Sequence, residues 1–274
     1  MGFRGKFVDH LGREVPLSHP PQRVISLCPS QTETLVDMGL GARLVGRTRF
    51  CIHPKAPLSK VQRIGGTKEV DFDRIRGLRP DLIIGEKEEN TPEMIAELEG
   101  ICPVYVTDVR DIDSALRMIL DLGEIVDLPA AARAIATQVT ASLEGIQPLP
   151  RPVSCLYMIW KNPWMAAGTD TFINSVLKKC GFDNLALAES GRYRVLDEEI
   201  FQQKKPEIVL LSSEPFPFKS THIADLQKIL PDSRIVLVDG EMFSWYGSHL
   251  VGVENYINLL LYDKAAGLSL PELV

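Results

Sequence analysis

Aromatic side chains crowd a few turn-rich segments of this sequence. Trp160 and Trp164 bracket Asn162-Pro163, Phe216 and Phe218 flank Pro217, and Phe243, Trp245 and Tyr246 precede Gly247, with Tyr193 between these groups. Flat faces beside a few polar anchors suit a large, planar, partly apolar ligand. Trp164, Trp245 and Tyr246, set beside Pro163, Ser244 and Gly247, are expected at the surface. Trp160 and Phe243 fit equally well as ligand contacts or as core residues, one ending a strand and the other packed under the last helix. In the first half, the residues able to do chemistry are Phe50-Cys51-Ile52-His53-Pro54, Lys68-Glu69, Glu86-Lys87-Glu88-Glu89-Asn90 and Asp108-Val109-Arg110. Most of them directly follow a predicted strand, the edge at which open α/β sheets place ligands. Lys68, Glu86 and Arg110 are candidates to pair with the polar arms of a ligand; the alternative is a solvated loop rim. Cys51 and His53 form the only close Cys/His pair. With Glu88 or His249 they could hold zinc or another transition metal, whereas His53 alone could reach the metal of a bound chelate.

Enzyme signatures are missing. There is no GxGxxG after a strand, no GxxxxGK[ST], no GxSxG and no HExxH, and Gly65-Gly66-Thr67-Lys68 lacks both the spacing and the preceding strand of a phosphate loop. The strand-end carboxylates have no evident His or Ser partner, so no catalytic residue is assigned. The chain has 274 residues, 45% hydrophobic and 24% charged, with 30 basic against 36 acidic residues. This composition excludes disorder and coiled coil, and the net charge of −6 argues against a nucleic-acid-binding surface. No apolar run approaches the ~18 residues of a membrane span. The first ten residues lack the apolar core of a secretion signal, and the five scattered cysteines show no CxxC spacing. Both features lead to the expectation of reduced thiols in the cytoplasm, or in the periplasm if a leader has been removed.

Short apolar strands alternate with helical stretches: strands at 24–27, 44–46, 81–84 and 103–106, helices at 71–78, 92–98 and 111–126. Ser30-Gln31-Thr32-Glu33 has capping-box spacing and opens a helix that ends near Gly39. The Ala-rich stretch from Pro129 to Gly145 predicts one unbroken helix, stopped by Pro148, Pro150 and Pro152. The rhythm then restarts, with strands at 153–160, 208–211 and 235–238, and helices at 171–180, 221–230 and 247–262. The fold class is α/β: an N-terminal lobe over 1–128, a linking helix over 129–147 and a C-terminal lobe over 148–274. The lobes echo each other. Asp73 precedes Arg79-Pro80-Asp81 as Glu199 precedes Lys205-Pro206-Glu207, each acid seven positions before the proline and each time ahead of a buried strand.

Arg23 to Glu33, Gly39, Val45-Gly46-Arg47-Thr48, Asp73-Arg74-Ile75 through Ile84, Gly168 to Ile173 and Gly181-Phe182-Asp183-Asn184 together resemble the helical-backbone substrate-binding proteins of ABC importers. That group takes up vitamin B12, siderophores and haem, and the likeness, closest to its B12-binding members, spans about residues 7–262. The resemblance implies two Rossmann-like lobes bridged by a rigid helix, one small-molecule ligand in the cleft between them and little hinge motion. It implies a monomer with no intrinsic cofactor, carrying a corrinoid or another metal chelate. It places Phe50 and Tyr193 among ligand-facing aromatics, and Thr67 and Glu86 where B12-binding members carry tryptophan. It also gives Asp73 and Glu199 a role, docking onto arginines of a two-fold permease dimer; otherwise both are solvated first-turn carboxylates. The alternative function is a cytoplasmic metal-binding or metal-dependent protein built on the same fold.

Overall fold

In the computed structural model, residues 5–186 and 191–263 are described. They fall into two units. The first comprises the chain up to Val109, Asp113–Thr140 and Tyr246–Val251; the second comprises Arg110–Ile112, Ala141–Trp245 and the chain from Gly252 on.

The first unit opens with a hairpin of β1 (Lys6–Val8) and β2 (Glu14–Pro16). The buried Asp9 carboxylate fixes its turn, accepting the N–H groups of Leu11 and Arg13 and pairing with the Arg13 guanidinium at 2.6 Å. Next come β3 (Val24–Ser26), α1 (Pro29–Asp37), β4 (Leu44–Arg47), α2 (Lys55–Leu58), β5 (Gln62–Arg63), α3 (Phe72–Leu78), β6 (Leu82–Glu86), α4 (Pro92–Glu99) and β7 (Val104–Thr107). All neighbouring pairs in the sheet β5-β4-β3-β6-β7 are parallel, as the strand–helix alternation predicts. Strands covered on both faces read as continuous apolar runs, and β3 and β6 are buried at every position. Ile25, Ile83, Val104 and Val106 from the sheet, with Leu27 just after β3, meet Ile75, Met94, Ile95 and Leu98 from the helices in one core. After α5 (Ile112–Ile125) comes α6 (Pro129–Glu144), at about 1.5 Å per residue roughly 24 Å long, the helix predicted from its alanines. Its residues up to Thr140 group with the first unit and those from Ala141 with the second.

In the second unit come β8 (Val153–Trp160), β9 (Trp164–Ala167), α7 (Phe172–Lys179), β10 (Phe182–Asn184), β11 (Tyr193–Leu196), α8 (Glu198–Lys204), β12 (Ile208–Ser212), α9 (Ser220–Ile229) and β13 (Arg234–Val238), and the strands form a sheet of order β11-β9-β8-β12-β13, with β10 beside the start of β8. This sheet is mixed. The chain reverses through Asn162, at φ 65°, so that β9 returns antiparallel along β8 and β11 pairs antiparallel with β9. The turn residues Asn162-Pro163 signal this ribbon, while its short strands carry too little periodicity to be read alone.

Two sequence expectations change. Ser30 is not a helix cap: Cys28 holds the N-cap position, Pro29 opens α1, and the Ser30 hydroxyl inside the helix accepts the backbone N–H of Tyr246. The closing helix is not continuous either. After α10 (Glu241–Ser244), Gly247–Leu250 makes a 3₁₀ turn and α11 (Val253–Tyr262) starts afresh, because Gly247 and Gly252 sit at φ 81° and 85°.

The internal echo is a structural repeat. Asp71 caps α3 by accepting the N–H of Arg74, and Asp197 caps α8 by accepting the N–H of Ile200. Each helix ends on a left-handed residue, Arg79 at φ 48° and Lys205 at φ 42°. The acid after each proline then clasps the entry to the neighbouring central strand. Asp81 accepts the backbone N–H groups of Gln22 and Arg23 ahead of β3, and Glu207 accepts that of Ser154 in β8. Asp73 and Glu199 therefore hold the same second position of equivalent helices.

Candidate functional site

The C-terminal ends of the parallel strands carry the candidate residues of the first unit. β4 leads into Arg49 and Phe50. Phe50 stays 47% exposed, with the Arg49 guanidinium 4.8 Å over its ring. β6 ends on Glu86, a buried carboxylate wrapped by backbone: it accepts the N–H groups of Glu88 at 2.6 Å, Glu89 at 3.0 Å and Val109 at 3.4 Å. Burial nevertheless prevails and pushes its pKa up to about 7. Asn90 braces the same turn, accepting the Glu86 N–H and donating to the Thr67 carbonyl. Lys68, exposed, donates to the Glu88 carbonyl, and Lys87 pairs with Asp108 at 2.9 Å. These contacts hold the post-strand loops to one another and fix the edge before any ligand arrives.

Gln31 is a residue that the sequence reading passes over. Wholly buried in α1, it donates to the Gly85 carbonyl and the Thr107 hydroxyl, tying α1 to the ends of β6 and β7, while its Oε1 has no hydrogen-bond partner among the described residues. Its position inside an apparent capping motif hides this role.

Tyr246 and Trp245 correct the expectation of surface aromatics, being 8% and 6% exposed. Tyr246 lies in the first unit with its hydroxyl 3.5 Å from the Cys28 sulfur, and burial drives both groups far above their ordinary pKa. Trp245 donates its indole N–H to Glu214 at 2.8 Å within the second unit, and Ser244 donates to the same oxygen at 2.6 Å. Phe243 is fully buried against Tyr157, ring centroids 5.3 Å apart, and serves the core. Flanking Ser and Gly do not expose these rings. Gly247 allows the backbone to press on α1, where a Cβ would lie 2.0 Å from the Thr34 hydroxyl.

Among the other candidate aromatics of the second unit, Trp160 and Tyr193 stay exposed, whereas Phe218 is buried in the core and Phe216 and Trp164, the latter expected at the surface, are only partly exposed because they pack against it. Trp160 closes β8 at 41% exposed and meets Phe216 edge-on at 5.6 Å; Phe216 meets Phe218 at 4.8 Å, and Phe218 stacks on Trp164 at 6.0 Å. Lys161 lies 5.2 Å over the Trp164 ring and pairs with Asp225. Tyr193 in β11 is 42% exposed.

The Cys51–His53 metal reading fares differently. Cys51 is fully buried, its sulfur 3.0 Å from the Thr32 hydroxyl and 3.1 Å from that of Thr48, and burial raises its thiol pKa, so the thiolate a metal requires is disfavoured. His53 instead neighbours His249, ring centroids 6.1 Å apart, and His249 pairs through Nδ1 with Glu33. Among the described residues, no group of three His, Cys, Asp or Glu side chains is arranged to hold a metal ion. Asp73 is almost wholly exposed and pairs with Arg76 at 3.0 Å; Glu199 is exposed and accepts from Gln203 at 3.2 Å.

Comparison with known proteins agrees with this arrangement. Residues 24–230 match the family model described as periplasmic binding protein. An uncharacterised ABC transporter substrate-binding lipoprotein of Bacillus subtilis (strain 168) is 26% identical over 212 residues, covering 73% of this chain and 67% of the relative. The vitamin B12-binding protein of Vibrio campbellii is 25% identical over 198 residues, covering 70% and 71% of the two chains. A periplasmic haem-binding protein from Pseudomonas aeruginosa superposes with a TM-score of 0.73 at 24% identity, covering 92% of this chain and 96% of that one. The cytoplasmic expectation gains no support here, since these relatives include a lipoprotein and a periplasmic protein. Among the described residues, no helix is long and apolar enough to cross a membrane. The chain belongs to the periplasmic binding protein family and is a binding protein, not an enzyme.

Proposed function

We propose that this protein is the substrate-binding component of an ABC importer, acting outside the cytoplasmic membrane and carrying a corrinoid or another metal chelate of siderophore or haem type. The observation that carries the reading is the set of aromatic faces left exposed after folding, Phe50 on the first unit and Trp160 and Tyr193 on the second. Exposing a large ring to water costs free energy that a flat ligand recovers by covering it. Within the second unit, Trp164 is linked to Trp160 through the rings of Phe218 and Phe216. Lys68, with the post-strand loop around Glu86, supplies the polar rim, and His53, whose ring lies beside that of His249, is the imidazole on the first unit that would face a chelated metal. Asp73 and Glu199, on equivalent helix starts, dock onto basic sites of a two-fold permease dimer, and the binding protein itself works as a monomer without an intrinsic cofactor. The vitamin B12 and haem named for the relatives define the ligand classes to test.

Tryptophan fluorescence tests the reading through titration with cobalamin, cobinamide, haem and ferric siderophores. One member of the panel is expected to quench saturably at micromolar concentration or below, and Trp160→Ala to weaken that ligand tenfold or more, about 1.4 kcal/mol. Absence of saturable quenching across the panel would overturn it.

A further inference from the structure

Charge is spread unevenly along the chain. Between Arg43 and Arg79 stand ten basic residues against three acidic ones, in a protein of net charge −6. Folding gathers part of this excess around one open groove of ≈ 680 Å³ on the first unit, a volume within the range of small-molecule sites. Its cations are Arg47, Lys55, Lys60, Arg63 and Arg74, and no lining residue is acidic. Four neighbouring elements deliver them. Arg47 ends β4, Lys55 opens α2 with Lys60 just beyond it, Arg63 lies on the edge strand β5, and Arg74 belongs to the first turn of α3.

The charges differ in how far they are satisfied. The buried Arg47 guanidinium spends its donors on the carbonyls of Thr48, Cys51 and Leu58, at 2.8–3.3 Å, with no carboxylate partner among the described residues. Burial, and then the charge of Arg63, lower its pKa from the ordinary value. Arg74 shares its charge with Asp71 at 3.3 Å. Lys55, Lys60 and Arg63 are exposed, and their side chains make no ion pair among the described residues. Several cations focused on one concavity hold a positive potential that a multivalent anion relieves. Guanidinium and ammonium groups together suit the several oxygens of a phosphoryl group. Leu58, Val61 and half-exposed Ile52, also in the lining, offer apolar contact to an organic part.

We propose that this groove binds a phosphoryl group carrying an organic substituent, presented either by a free phosphate compound or by an anionic lipid headgroup. The inference is independent of the chelate carried at the strand ends. Two titrations of the full chain at low ionic strength test it, calorimetry with inorganic pyrophosphate and co-sedimentation with phosphatidylcholine vesicles with and without phosphatidylglycerol. Saturable pyrophosphate binding supports the site with a soluble source; sedimentation only with the anionic vesicles supports it with a headgroup source. In either arm, Lys60→Glu/Arg63→Glu is expected to weaken binding tenfold or more and added salt to weaken it further, while Lys228→Glu on the second unit leaves it unchanged. Lys60→Gln/Arg63→Gln gives a milder loss and guards against misfolding of the reversal. Tryptophan quenching by the chelate panel stays the same in these variants. Failure of both probes to bind, or binding unmoved by the Lys60 and Arg63 variants, would overturn the proposal.

Discussion

Glu86 ends a buried strand with its carboxyl raised from 4.5 to about 7, and burial, the first cause of that shift, outweighs three backbone N–H groups. A carboxyl whose pKa is raised on folding binds its proton more tightly in the native state, so stability falls as pH climbs from the unfolded value near 4.5 to about 7 and levels off above. The full effect is roughly 3 kcal/mol. Glu86→Gln, which cannot ionise, should flatten the stability profile across that window; denaturant midpoints of both proteins at pH 5 and pH 7.5 measure it, and parallel profiles would refute the assignment. At this scale the sequence is informative where a residue directly follows a strand. Trp160, at the end of a strand, fitted ligand contact and core equally well, whereas Phe50 and Glu86 could be placed that way. Trp245 and Tyr246 could not, since the groups that bury them, Glu214 and Cys28, lie 31 and 218 residues away in sequence and reach them only through the tertiary fold.

The repeated unit of capped helix, left-handed stop, proline and acid governs the scale of elements. Arg79 and Lys205 hold a backbone conformation that costs a side-chain-bearing residue about 1 kcal/mol. Arg79→Gly and Lys205→Gly should each raise the melting temperature by about 2–4 °C, read by calorimetry, and a fall in both would contradict the strain. Gly247→Ala should act oppositely, costing about 2–4 kcal/mol, because the new methyl would meet the Thr34 hydroxyl on α1. Thermal melts check this, and an unchanged midpoint would show that the Tyr246–Val251 segment is not pressed on that helix. The repeat was legible because its first-turn acid, its proline and the acid after that proline lie within a dozen residues, while the caps Asp71 and Asp197 show only in the structure. The antiparallel ribbon of β9 and β11 was not: four-residue strands carry almost no period, and only the Asn162 turn marks it. Nor was the break before α11, where apolar spacing continues across Gly252 while the backbone does not.

For the whole molecule, the proposed function requires exposed aromatic faces for the ligand and a docking acid on each unit. Asp73 and Glu199 stand exposed at equivalent helix starts, and neither contributes to the core. Asp73→Lys/Glu199→Lys should leave ligand affinity and melting temperature unchanged and abolish uptake in cells that depend on this importer; retained uptake would remove both residues from the dock. Fold class and family were readable because motif order and strand–helix rhythm survive at about 25% identity, whereas ligand identity rests on loop side chains that diverge first. The most direct test of the central claim is native mass spectrometry of the full chain equilibrated with a mixture of cobalamin, cobinamide, haem and ferric siderophores. One of them, bound one to one and lost in Phe50→Ala/Trp160→Ala, is the predicted result, and a spectrum of bare protein alone would contradict it.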